Sequence, residues 1–196
     1  GTEAHYDRLL LATGSTPFIL PVPGADLPGV IAYRDIADTE QMMEAARTHS
    51  HAVVIGGGLL GLEAANGLRR RGMDVTVVHL LDTLMERQLD AAAANLLRAS
   101  LEERGIRFAM AKKTQELLDD GNGRVAAVRF ADGEELPAEL VVMAIGIRPN
   151  TELAQSAGLH CDRGIVVDDT MMSYDPRVYA VGECAAHRGV AYGLVA

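Results

Sequence analysis

The chain has 196 residues, enough for one sizeable core or two small ones. Its 48% apolar and 23% charged residues are those of a globular protein. A net charge of −9 argues against nucleic acid or an anionic membrane as partner, because phosphates would be repelled. No apolar run reaches the roughly 18 to 20 residues that span a bilayer. Cys161 and Cys184 have neither CxxC nor metal-ligand spacing, and the six His show none either. This argues against a secreted disulfide scaffold and points to a reducing cytoplasm. The opening Gly1-Thr2-Glu3, without initiator Met or signal-like segment, reads as a start inside a longer protein.

In chain order, Tyr6 to Gly14 reads as a short buried strand ending at a Gly. Pro17 to Pro28 has four Pro in twelve residues and reads as an extended crossover or linker. Asp38 to Thr48 has the acidic start and apolar spacing of a short helix. Ala52 to Ile55 is a β-branched strand core running into Gly56-Gly57-Gly58-Leu59-Leu60-Gly61. Leu59 to Arg70 reads as a helix stopped at Gly72, its Arg69-Arg70-Arg71 end being a dipole-complementing cap. Asp74 to His79 is the next strand, Leu89 to Arg104 a helix ended by Gly105, and Ile106 to Met110 a third strand. Arg124 to Phe130, the Asp132-Gly133 turn and Glu134 to Leu136 read as an antiparallel hairpin. Leu140 to Ile145 is a fully apolar strand ending at Gly146. This order predicts an α/β fold: a Rossmann-like, doubly wound parallel sheet carrying a small antiparallel meander. In the tail, Ile165 to Val167 and Val178 to Val181 read as short strands without a sheet of their own, and Gly182 reads as the opening of a helix.

The chemistry concentrates in the glycine cluster. After a strand, Gly56 permits a tight turn, Gly58 lets backbone approach a pyrophosphate, and Gly61 brings the helix close to the sheet. The helix N-terminus at Leu59 and Leu60 offers unpaired N–H groups and partial positive charge to phosphates. The residue at the end of the second strand, usually Asp or Glu in NAD enzymes, is His79. A neutral imidazole bonds a 2′-hydroxyl without repelling a 2′-phosphate, so NADH versus NADPH stays open, with the balance toward NADH. For Glu63 two readings stand: a carboxylate favoured near a helix N-terminus, or a residue at the mouth of the cleft near the nicotinamide.

Four ordered motifs carry a resemblance: Leu11-Ala12-Thr13-Gly14; the glycine unit with Glu63; Ala144-Ile145-Gly146-Ile147-Arg148-Pro149-Asn150; and Val178-Tyr179-Ala180-Val181-Gly182-Glu183. Together they resemble the flavoprotein pyridine-nucleotide oxidoreductases, in which an NAD domain is inserted within an FAD domain. The resemblance implies partial FAD-domain segments at 1–36 and 149–196 around an NAD(P)-binding domain at 37–148. It implies that Gly56, Gly58 and Gly61 hold the pyrophosphate, and that Glu63, Gly146 and Ile147 lie by the nicotinamide. Thr13, Gly14, Gly182 and Glu183 would face the flavin, Glu183 standing where most of the superfamily has Asp. Cys184 is then a small buried residue beside the flavin rather than a redox group, and the absence of a CxxxxC pair disfavours a disulfide relay.

The segments Leu84 to Asp90 and Gly182 to Ala196 are similar to the large subunit of assimilatory NAD(P)H-dependent nitrite reductases. That likeness implies hydride transfer from NAD(P)H to FAD, with electrons passing to an iron–sulfur cluster and siroheme outside this stretch. The partners it implies are nicotinamide dinucleotide, the FAD domain and downstream redox domains of a parent chain. The glycine motif that would bind the ADP half of FAD is missing, so the isolated chain is expected to hold no FAD and to catalyse little. The alternatives are a ferredoxin- or rubredoxin-reductase-like flavoprotein with another acceptor, and a non-catalytic nucleotide-binding module.

Overall fold

A computed structural model describes residues 2–191; the Tyr192 to Ala196 part of the sequence resemblance lies outside them. The chain divides into two compact units, one formed by residues 17–145 and the other by residues 1–16 with 146–196. The elements begin with β1 (Leu9–Leu11), β2 (Ser15–Pro17), β3 (Val30–Ala32) and α1 (Ile36–Thr48). The central run is β4 (His51–Ile55), α2 (Leu59–Arg70), β5 (Asp74–Val78), α3 (Ala91–Glu103) and β6 (Arg107–Ala109). Then come β7 (Thr114–Asp119), β8 (Val125–Phe130), β9 (Glu135–Pro137), β10 (Leu140–Met143) and β11 (Ile147–Pro149). The last are α4 (Glu152–Ser156), β12 (Ile165–Val167), β13 (Val178–Ala180), β14 (Ala185–His187) and β15 (Val190–Ala191), with a 3₁₀ turn at Gly182–Cys184.

In the larger unit the sheet order is β3-β10-β4-β5-β6, all parallel. Its strands are apolar on both faces, as a covered parallel sheet requires. Alternation sends Ala52, Val54, Val75, Val77, Leu140 and Val142 to one face. There they meet Met42 of α1, Leu62, Ala65 and Leu68 of α2, and Leu101 of α3. Val53, Ile55, Val78, Val141 and Met143 face the other way, onto Leu117, Val125, Val128 and Phe130 of the antiparallel sheet β7-β8-β9.

Residues 17–36, read from sequence as part of the first segment, lie in this unit. Leu20, Val22, Ala25 and Leu27 pack onto the second core. Pro23 O accepts from Leu117 N–H at 2.9 Å and Pro28 O from Val125 N–H at 3.0 Å. Proline lacks an N–H but keeps its carbonyl, so a Pro-rich crossover can still be stitched to a sheet as acceptor. The crossover ends in β3, an edge strand absent from the sequence reading.

The smaller unit packs Leu11, Ala154, Ile165, Val167, Val178, Ala180, Cys184 and Ala185 into its own core. Here three sequence expectations change. The first strand is only Leu9–Leu11, and Leu10 is 58% exposed, because β1 belongs to a two-stranded sheet with one face open. The tail strands do have partners: β13 pairs in parallel with β1, and β12 with β14, which also pairs with β15. Gly182 opens a single 3₁₀ turn rather than a longer helix.

Candidate functional site

From β4 the chain winds outward through β5 and β6, then returns to β10 on the other side of β4. This reversal makes a switch point, and ligands of such sheets bind outside the carboxyl ends of the strands there. Ile55 is in register with Met143 and Val78, so Gly56 leaves the sheet between Ala144 and His79. Gly56 adopts φ 125°, a conformation closed to L side chains, and a Cβ on it would strike the Ala144 carbonyl. At Gly61 a Cβ would be driven into the Gly56 carbonyl oxygen, so helix and turn can touch only with Gly there.

Gly58 differs. It is the N-cap of α2 with extended backbone (φ −85°, ψ −176°), and no atom lies within 4 Å of where its Cβ would project. Folding alone does not require this glycine, and its bare backbone leaves room for close approach from outside. The first intrahelical bond runs from Leu62 N–H to Gly58 O at 3.0 Å. The amides of Leu59, Leu60 and Gly61 precede it at the positive end of the helix. Glu63 is exposed farther along α2.

His79 is turned inward, its side chain 11% exposed. Its Nδ1 accepts from Gly57 N–H at 3.1 Å, so it supports the glycine turn from below. Gly146 (φ 111°) and Ile147, which opens β11, belong to the smaller unit.

In the smaller unit the pairing of β1 with β13, extended by Val181 N–H to Leu11 O at 3.0 Å, brings Thr13-Gly14 beside Gly182-Glu183. Ser15 Oγ donates to Glu183 Oε2 at 2.6 Å. Asn150 fixes the same turn: its side-chain amide donates to Thr13 O at 2.8 Å, its backbone N–H to Gly14 O at 2.9 Å, and Thr13 Oγ1 donates to Asn150 O at 2.8 Å. Gly14 and Gly182 both have positive φ, with open space where a Cβ would stand. Ser15 and Asn150 were not singled out as site residues from sequence; their signal was adjacency to Gly14 and the end of the Gly146 motif. Cys184 is fully buried, its Sγ 3.3 Å from Val181 O, while burial pushes the Cys161 thiol up from its usual range. Among the described residues no group of three or more His, Cys, Asp or Glu could hold a metal ion, and no helix is long and apolar enough to cross a membrane.

Known proteins share this arrangement. The chain is 58% identical over 191 residues to a nitrite reductase [NAD(P)H] of Bacillus subtilis (strain 168), covering 97% of this chain and 24% of that protein. It is 50% identical to the assimilatory nitrate reductase electron transfer subunit of the same organism, with the same coverage. The chain thus spans about a quarter of the length of these relatives. A crystal structure of a ferredoxin reductase from Rhodopseudomonas palustris superposes with a TM-score of 0.92 at 36% identity, covering 98% of this chain and 48% of that one. The model of the pyridine nucleotide-disulphide oxidoreductases matches residues 1–195. The chain belongs to the pyridine nucleotide-disulphide oxidoreductase family.

Proposed function

We propose that the chain is the NAD(P)H-binding part of a flavin-dependent oxidoreductase, the larger unit taking the dinucleotide and the smaller unit being part of an FAD domain. The observation that carries this reading is Gly58: bare backbone with open space, at a helix N-terminus, on the switch point of a parallel sheet. Gly56, Gly58 and Gly61, with the amides of Leu59 and Leu60, hold the pyrophosphate. Glu63 is assigned to the nicotinamide end of the larger unit's site, and Gly146 and Ile147 are assigned to the nicotinamide by the family resemblance alone. Thr13, Gly14, Gly182 and Glu183 serve the flavin, and the space beside Gly14 and Gly182 suits a ligand drawn against backbone. When both are bound, NAD(P)H supplies a hydride and FAD accepts it. This chain's residues contribute position and electrostatics, and none is assigned as a catalytic acid or base.

The likeness to nitrite reductases supports a parent protein that passes the electrons toward nitrite, yielding ammonia, in the cytoplasm. Siroheme and an iron–sulfur cluster would then be held by domains outside this chain. The fold likeness to a ferredoxin reductase favours a second reading, in which the same hydride entry serves a different electron acceptor.

Two glycine variants test the site. Gly58→Ala should leave stability within about 1 kcal/mol of the parent yet weaken NADH binding at least tenfold, by nicotinamide fluorescence titration. Gly61→Ala should instead lower stability by about 1–3 kcal/mol through overpacking. Unchanged NADH affinity in a folded Gly58→Ala protein contradicts the assignment.

A further inference from the structure

The strand-end position that reads the adenosine ribose in dinucleotide folds is occupied by His79. Its geometry leaves it little to offer a ribose. The Gly57 peptide is gripped from both sides by the segment after β5: Nδ1 of His79 accepts its N–H at 3.1 Å, and Met85 N–H donates to its carbonyl at 3.1 Å. The buried Leu84 side chain lies 2.7 Å from where a Gly57 Cβ would stand, closing the third side. An imidazole that accepts at Nδ1 carries its proton on Nε2. That Nε2 is shielded from solvent and makes no hydrogen bond, with Glu86 Oε2 lying 3.3 Å away. Both ring nitrogens are therefore turned to protein.

Glu86 is the exposed acidic group that lies against His79 at this strand end, with 36% of its side chain exposed. A carboxylate has acceptor capacity on two oxygens, so one contact with His79 leaves room for a hydroxyl donor. Met85, just before it, holds φ 50°, an uncommon conformation that a loop keeps only when its surroundings enforce it. The nearby Lys112 is committed elsewhere, its ammonium bridging Asp132 and Glu134 of the meander.

We infer that Glu86, displayed beside His79 at the strand end, replaces the missing strand-end carboxylate: it accepts the 2′-hydroxyl of the adenosine ribose and repels a 2′-phosphate, so NADH is taken in preference to NADPH. This rests on the dinucleotide reading above. His79 acts as a positioning residue through Gly57, whose N–H it accepts.

The test is a parallel titration of the full-length protein with NADH and NADPH, for the parent, Glu86→Gln and His79→Leu. The parent should prefer NADH by about tenfold or more, as for a hydrogen bond to a charged group. Glu86→Gln should narrow that preference from both sides, weakening NADH and strengthening NADPH. His79→Leu keeps bulk beneath Gly57 but removes both nitrogens, and should weaken both dinucleotides. Raising the salt should shrink the preference in the parent and leave it unchanged in Glu86→Gln, because only the parent sets charge against charge. An unchanged NADH:NADPH ratio in Glu86→Gln overturns the inference while leaving the dinucleotide site standing. So does equal or tighter NADPH binding by the parent, which would make the neighbouring Arg87 a phosphate ligand. Binding of neither dinucleotide overturns the underlying reading and this inference with it.

Discussion

Glu139 shows how one side chain ties the parallel sheet at the end opposite the Gly56 to Gly61 turn. Its carboxylate accepts from Ser50 N–H at 2.8 Å and His51 N–H at 2.9 Å, joining the start of β4 to the start of β10. Those two backbone donors, assisted by the His51 and His49 rings, hold its pKa below the ordinary glutamate value. A depressed carboxylate stabilises the fold above its unfolded pKa, and the contribution is lost as pH falls through the lower folded value. Glu139→Gln should cost about 1 kcal/mol at neutral pH, discounted for its partial exposure. The loss should fade as the pH falls from the ordinary glutamate range through the lower folded value, where the parent becomes protonated too. Denaturant melts at several pH values check this; a cost independent of pH would contradict it. At the same scale, the sequence identified His79 by its place at a strand end. Whether its ring faced ribose or protein was not legible, because that depends on Gly57, twenty-two residues earlier, and Glu86, seven residues later. The spacing around Gly56, Gly58 and Gly61 was legible because backbone sterics force glycine there or leave it bare.

Helices and central strands were the readable elements, since each carries a local signal. The helix α2 was read with the bounds it has, from Leu59 to Arg70. The helix α1 begins two residues earlier than its acidic run suggested, because Asp35 is its N-cap: the Asp35 side chain accepts from Asp38 N–H at 3.0 Å, and the Asp38 carboxylate receives Asp35 N–H at 3.2 Å. Asp35→Ala should therefore lower stability by about 1 kcal/mol, read as a shifted denaturation midpoint, whereas an unchanged midpoint would mean that water caps the helix as well. Strand β7 escaped the sequence reading for a physical reason. Register shifts between Thr114 and Glu116 and between Leu118 and Asp119 break its alternation, so Leu117 is buried while its neighbours do not follow period two. The short strands β2, β3 and β11 offer three residues each, too few for any period to show.

At the scale of the whole molecule, two features separated by most of the chain are brought together within the smaller unit. Leu9–Leu11 pairs with Val178–Ala180, which aligns Thr13-Gly14 with Gly182-Glu183 and lets Ser15 bond Glu183 across 168 positions. No local pattern announces such a pairing; it was accessible only through resemblance to proteins with the same motif order. In the larger unit, the parallel sheet and its covered faces follow from the βαβ order, and the switch point follows from the return of β10 to the far side of β4. We propose that a nicotinamide dinucleotide binds at that switch point, on the N-terminus of α2. Amide hydrogen exchange with and without saturating NADH tests it most directly. Binding there should slow exchange at the amides of Gly58 to Gly61 and leave the Arg69-Arg70-Arg71 end of the same helix unchanged. Slowing confined to other parts of the chain, with the glycine turn unaffected, would contradict it.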